Sequence, residues 1–112
     1  MAKPVSRAIS RYTSDALALM GMMIRVARIE RKMTIAELAM RANISQALLK
    51  RIEEGDAGCS IGAAFEVAAI VGVPLMADDP KALAVKLAHY REKLSLLPKA
   101  ARKSTRMVND DF

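Results

Sequence analysis

The sequence predicts an all-α fold, a compact helical bundle of about five helices with two short helices joined by a tight turn at its centre. Three observations predict it. Apolar residues recur at helical spacing along most of the chain, as in Leu17, Met20, Ile24 and Ala27. Helix-start signals precede those runs at Ser14, Thr34, Ser45, Ser60 and Asp79. The composition is 53% apolar but only 4% aromatic, without Trp, which suits closely packed small helices built on Ala, Leu, Ile, Val and Met. At 112 residues the chain is one domain by length, and its apolar content argues against disorder throughout.

Residues 1 to 13 carry Lys3, Arg7 and Arg11 with no acid, and are expected to form a flexible basic arm, either solvated or reaching toward an anionic partner. Ser14 before Asp15 predicts a first helix to about Arg31. Met20, Met22 and Met23 in it are read as packing, and Gly21 as a site of close helix crossing at a cost of roughly 1 kcal/mol against alanine. Thr34 with Glu37 has capping-box spacing for a second helix, whose buried face is Leu38 and Ala39. Asn43 tolerates the left-handed backbone of a sharp helix exit, and Ile44 drops into the core. Ser45 caps a third helix with Leu48, Leu49 and Ile52 on its apolar side and Gln46, Ala47, Lys50 and Arg51 on the other; Gly55 stops it. Ser60 caps a fourth helix over residues 61 to 71, ended by Gly72, with Phe65 as the expected central plug. Asp79 followed by Pro80 starts a fifth helix to about Leu97. Its stripe of Leu83, Leu87, Tyr90, Leu94 and Leu97 either completes the core or serves a second subunit. The main domain is thus expected over residues 14 to 97. Pro98 ends it, and residues 98 to 112 lack apolar periodicity and are expected to be a disordered tail.

With Ile24-Arg25-x-x-Arg28, the Thr34 start, Glu37-Leu38-Ala39, Ile44-Ser45, Arg51-Ile52-Glu53-x-Gly55 and the closing Ala68 to Gly72-Val73, residues 24 to 75 resemble the lambda-repressor/Cro-like (XRE) helix-turn-helix family. One register satisfies caps, core and turn together. The resemblance implies a sequence-specific DNA-binding repressor acting as a homodimer on an inverted-repeat operator of double-stranded DNA. Half-sites would lie about 34 Å apart, and the fourth and fifth helices would join the subunits. Gln46, Ala47 and Lys50 would face bases: a paired donor and acceptor for adenine, a methyl-sized contact for thymine, and a donor to guanine. Thr34 and Ser45, at helix N-termini with free N–H groups, are expected at phosphates, together with Arg41, Arg51, Lys32 and Arg28. Ala47 and Leu48 depart from the polar pair common at these positions, and Ile35 stands where many relatives carry glutamine, so this reader has fewer polar contacts.

The layout of one such domain, an extra helix and a basic tail ending in Asn-Asp-Asp-Phe is similar to HipB-type antitoxins. That resemblance implies a HipA-like kinase toxin as partner, with Phe112 as its anchor. The alternatives are a stand-alone phage, plasmid or restriction-control repressor, or a protein-interaction adaptor that binds nucleic acid without sequence preference.

The charge of +6 and pI near 9.8 favour an anionic partner. Residues 24 to 75 hold seven basic and six acidic residues, so binding there depends on placing a few cations while Glu53, Glu54, Asp56 and Glu66 turn away. No catalytic residue, cofactor or metal is expected: Cys59 and His89 are each the only residue of their type, and no phosphate-cradling glycine loop is present. No long apolar run or signal-peptide core occurs, so no membrane association and a cytoplasmic location are expected.

Overall fold

Side-chain caps set nearly every helix start. The computed structural model describes residues 8–101 and 103. They form α1 (Arg11–Glu30), α2 (Ile35–Ala42), α3 (Gln46–Glu53), α4 (Ile61–Val71) and α5 (Pro80–Leu96), with no strand among the described residues. Thr34 Oγ1 accepts from the Glu37 N–H at 3.0 Å, while Glu37 Oε1 accepts from the Thr34 N–H at 2.8 Å. Ser45 Oγ accepts from Leu48 N–H at 3.0 Å, Ser60 Oγ from Ala63 N–H at 3.4 Å, and Asp79 Oδ1 from Ala82 N–H at 2.7 Å. Each such bond satisfies a donor that the helix cannot pair internally.

α1 departs from the expected start at Ser14. Its cap is Ser10, whose Oγ accepts from Thr13 N–H at 3.1 Å, and Arg11 lies 3.8 Å from Asp15 one turn on. A second hydroxyl cap one turn upstream therefore carries the helix into residues expected in the arm. Residues 1–7 of that arm, with Lys3 and Arg7, lie outside the described residues.

The chain divides into two units, Met1–Met76 with α1 to α4, and Ala77–Phe112 with α5. In the first, the core is Ile24, Leu38, Ala39, Leu49, Ile52, Val67, Ala68, Val71 and Val73. Met20, Ala27, Met33, Ile44 and Leu48 pack against it. Phe65, the expected plug, is only half-buried and outside this cluster. Val67, Ala68 and Val71 occupy the inward face of α4 instead, because small side chains let four short helices approach closely. Met22 and Met23 are also not core: they are 54% and 40% exposed, and only Met20 packs inward.

Gly21 is where α1 meets α3. A Cβ there would sit 2.7 Å from Ile52 O and still closer to Glu53 O, so any side chain collides with the backbone of α3. In the second unit, no residue of α5 is buried, and Leu83, Leu87, Tyr90, Leu94 and Leu97 stay exposed. The tail residues described, 98–101 and 103, form no helix.

Gly21→Ala is expected to destabilise the first unit by about 1–3 kcal/mol despite alanine's better helix propensity, because backbone on α3 cannot yield as a side chain can. Chemical denaturation of the two proteins measures it; equal midpoints would refute the close crossing.

Candidate nucleic-acid interface

The turn between α2 and α3 is made by one residue in a left-handed conformation. Asn43 has φ 58° and ψ 46°, a backbone state that a short amide side chain accepts better than most. Asn43 N–H donates to Met40 O at 3.1 Å and Ile44 N–H to Ala39 O at 3.0 Å, which satisfies the last carbonyls of α2. The chain then enters α3 at Ser45 with its buried residues, Leu49 and Ile52, turned into the core.

That leaves Gln46, Ala47 and Lys50 together on the solvent side of α3, all exposed, and no side chain among the described residues pairs with Gln46 or Lys50. Thr34 and Ser45 are exposed at the starts of α2 and α3 while capping them. Arg41 is exposed in the last turn of α2, where it donates to Met33 Sδ at 3.9 Å and its charge acts on Glu37 one turn earlier. Lys32 is exposed just past α1 with φ 56°.

Two of the expected phosphate contacts are committed elsewhere. Arg28 is only 8% exposed: its Nε and Nη2 donate to Glu53 Oε2 and Oε1 at 2.7 and 3.1 Å, and its Nη1 donates to Met33 O at 3.0 Å. Its guanidinium lies inside the fold, so the expectation of a phosphate contact there is corrected. Arg51 remains exposed, but its Nε donates to Asp56 Oδ2 at 2.9 Å, and the same carboxylate takes the Gly58 N–H through Oδ1 at 2.7 Å. Arg51 can reach a phosphate only by sharing or leaving Asp56. The sequence carried a signal for the first pairing. Arg28 falls on the α1 face of Gly21 and Ile24, and a cation on a buried face requires an anion.

Burial pushes the Cys59 thiol up, away from reactive thiolate. His89 is exposed on α5, edge-on to Tyr90 with ring centroids 5.5 Å apart. Among the described residues no cluster of His, Cys, Asp and Glu could hold a metal ion, and no helix is long and apolar enough to cross a membrane. Phe112 lies outside the described residues.

Residues 24–76 match the family model described as Helix-turn-helix. No curated protein and no solved structure matches the chain. The matched segment runs from the C-terminal part of α1 through α2, the Asn43 turn, α3 and the whole of α4.

Two structural predictions follow from the ion pairs and caps. Arg28→Ala should cost about 3–5 kcal/mol by stranding the buried Glu53 carboxylate, whereas replacing both residues by apolar ones of similar size should cost far less. A double-mutant cycle by denaturation reads this, and a negligible coupling would refute the clamp. Hydrogen bonds from Thr34 hold the Glu37 carboxyl below its ordinary value, and those from Arg51 and Gly58 do the same for Asp56. Stability from depressed carboxylates is complete above their unfolded values and is lost as pH falls through the folded ones. The melting temperature should therefore drop on acidification below about pH 4, and the Glu37→Gln, Asp56→Asn double variant should show a flatter profile.

Proposed function

We propose that this protein is a DNA-binding transcriptional repressor whose α3 reads bases in the major groove. The observation that carries the reading is the exposed outer side of α3, where Gln46, Ala47 and Lys50 stand opposite a core-anchored Leu49 and Ile52. The family match over residues 24–76 supports the same use of this helix pair.

The mechanism is a division of labour. Thr34 and Ser45 each begin a helix whose first N–H groups carry partial positive charge, so both helices can settle against phosphate oxygens. Arg41 and Lys32 add full positive charges at exposed positions. These contacts set register and carry no sequence information. Sequence is read by Gln46 at adenine, Lys50 at guanine and Ala47 at a thymine methyl. With so few polar groups facing the groove, one domain reads a short half-site, and two copies on an inverted repeat supply the rest. The narrower assignment, an antitoxin that neutralises a HipA-like kinase and represses its own operon, rests on the resemblance of the whole layout. Co-expression with a kinase encoded beside it, followed by co-purification, tests that part separately.

Gln46→Ala should relax preference at one base pair per half-site by about 1–3 kcal/mol, while Arg41→Ala should weaken all sequences alike and lower the salt slope by about one. Fluorescence anisotropy against a panel of duplexes over a salt series distinguishes the two. A uniform loss for Gln46→Ala would remove the base-reading role, and binding that ignores sequence in the parent protein would favour the adaptor alternative.

A further inference from the structure

α1 has two faces, and only one is used by the fold. Gly21, Ile24 and Arg28 face the core and α3. On the outer side Leu19, Met22, Val26 and Ile29 are spaced three, four and three residues apart, and they are 55%, 54%, 54% and 54% exposed. This is the a/d pattern of a coiled-coil seam over two heptads. Beside it runs an apolar groove whose far wall is Val73 and Pro74, with Met23 between.

Charge identifies the occupant. Relative to that seam Arg25 is a g position and Glu30 the following e position, both exposed and neither in an ion pair among the described residues. In a parallel, in-register pair of identical helices, g of one faces the following e of the other. Arg25 would then meet Glu30 of the second copy, and the twofold makes the pair twice. An antiparallel arrangement centred on the seam forfeits both pairs. α5 offers a contrast. Its stripe also has heptad spacing, but Lys86, Arg91 and Lys93 flank it, so self-pairing there sets like charges together.

We infer that the outer face of α1 is a self-association surface, on which a second copy of the chain packs its own α1 in parallel through Leu19, Met22, Val26 and Ile29, with reciprocal Arg25–Glu30 ion pairs. This seam differs from the pairing through the fourth and fifth helices expected from sequence, and it does not depend on DNA binding. Two heptads plus a groove edge make a short seam, so association is expected to be weak and concentration-dependent.

The test is sedimentation velocity on the full chain without DNA over a concentration series, with circular dichroism to verify folding. The wild type should shift from monomer to dimer. Val26→Glu should abolish the shift without altering the melt, since Val26 is exposed. Arg25→Glu and Glu30→Arg should each weaken association about tenfold or more, and the double swap R25E/E30R should restore it to within about threefold of wild type. A wild type that stays monomeric overturns the proposal. So does a double swap as weak as either single change, which would mean that the two residues do not face each other across copies. A dimer that survives Val26→Glu but is lost with Leu87→Glu would overturn it in favour of α5.

Discussion

The bidentate pair between Arg28 and Glu53 is the constraint on which the placement of α2 and α3 depends. Two charges taken out of water cost several kcal/mol each unless their hydrogen-bonding capacity is met. Here Glu53 takes two donors of the guanidinium and the Met33 carbonyl takes a third. That one side chain ties the end of α1 to the entry of α2 and to the end of α3. Gly21 lets the α3 backbone come within touching distance of α1, and Leu49 and Ile52 bury the inner side of the same helix. α3 is therefore held at its C-terminal end by ionic and steric contacts and at its start by the Ser45 cap. Its free side is what remains.

The same pairings change how the charge of this segment should be understood. Of the seven cations in residues 24 to 75, Arg28 is internal and Arg51 is shared with Asp56. Of the six anions, Glu53 and Asp56 are the partners of those two, and Glu37 is bonded into the start of α2. The charges outside those two pairs are Arg25, Arg31, Lys32, Arg41 and Lys50 against Glu30, Glu37, Glu54 and Glu66. One-for-one pairing leaves the net charge of the stretch at +1, so what folding alters is which cations remain available. A few placed cations and two helix N-termini suit a phosphate backbone better than bulk charge does, since placement also fixes register.

Hydroxyl and carboxylate caps, the left-handed exit at Asn43 and the inward stripes of α2 and α3 were legible in the residues, because each arises within one or two turns of chain. So was the close approach at Gly21, since a glycine inside a helix costs stability that only packing restores. The misjudged residues depended on distant neighbours. Phe65 looked like the largest plug available, yet the space between four short helices is filled by Val67, Ala68 and Val71. Met22 and Met23 looked like core filler, yet the inward face of α1 was already taken by Met20, Ile24 and Ala27. Ser14 was a plausible cap, but a Ser10–Thr13 pair upstream served as well and extended the helix.

By itself the sequence determined where helices start, where they turn and which residues of α3 lie opposite its apolar stripe, since backbone hydrogen bonding and helical period are local. Only the tertiary structure decided which charged residues remain available, withdrawing Arg28 into a pair with Glu53 and tethering Arg51 to Asp56. It also decided that α1 keeps a second apolar face in water. Partners far apart in the chain are chosen by the three-dimensional approach of helices, and no local pattern of residues records that approach.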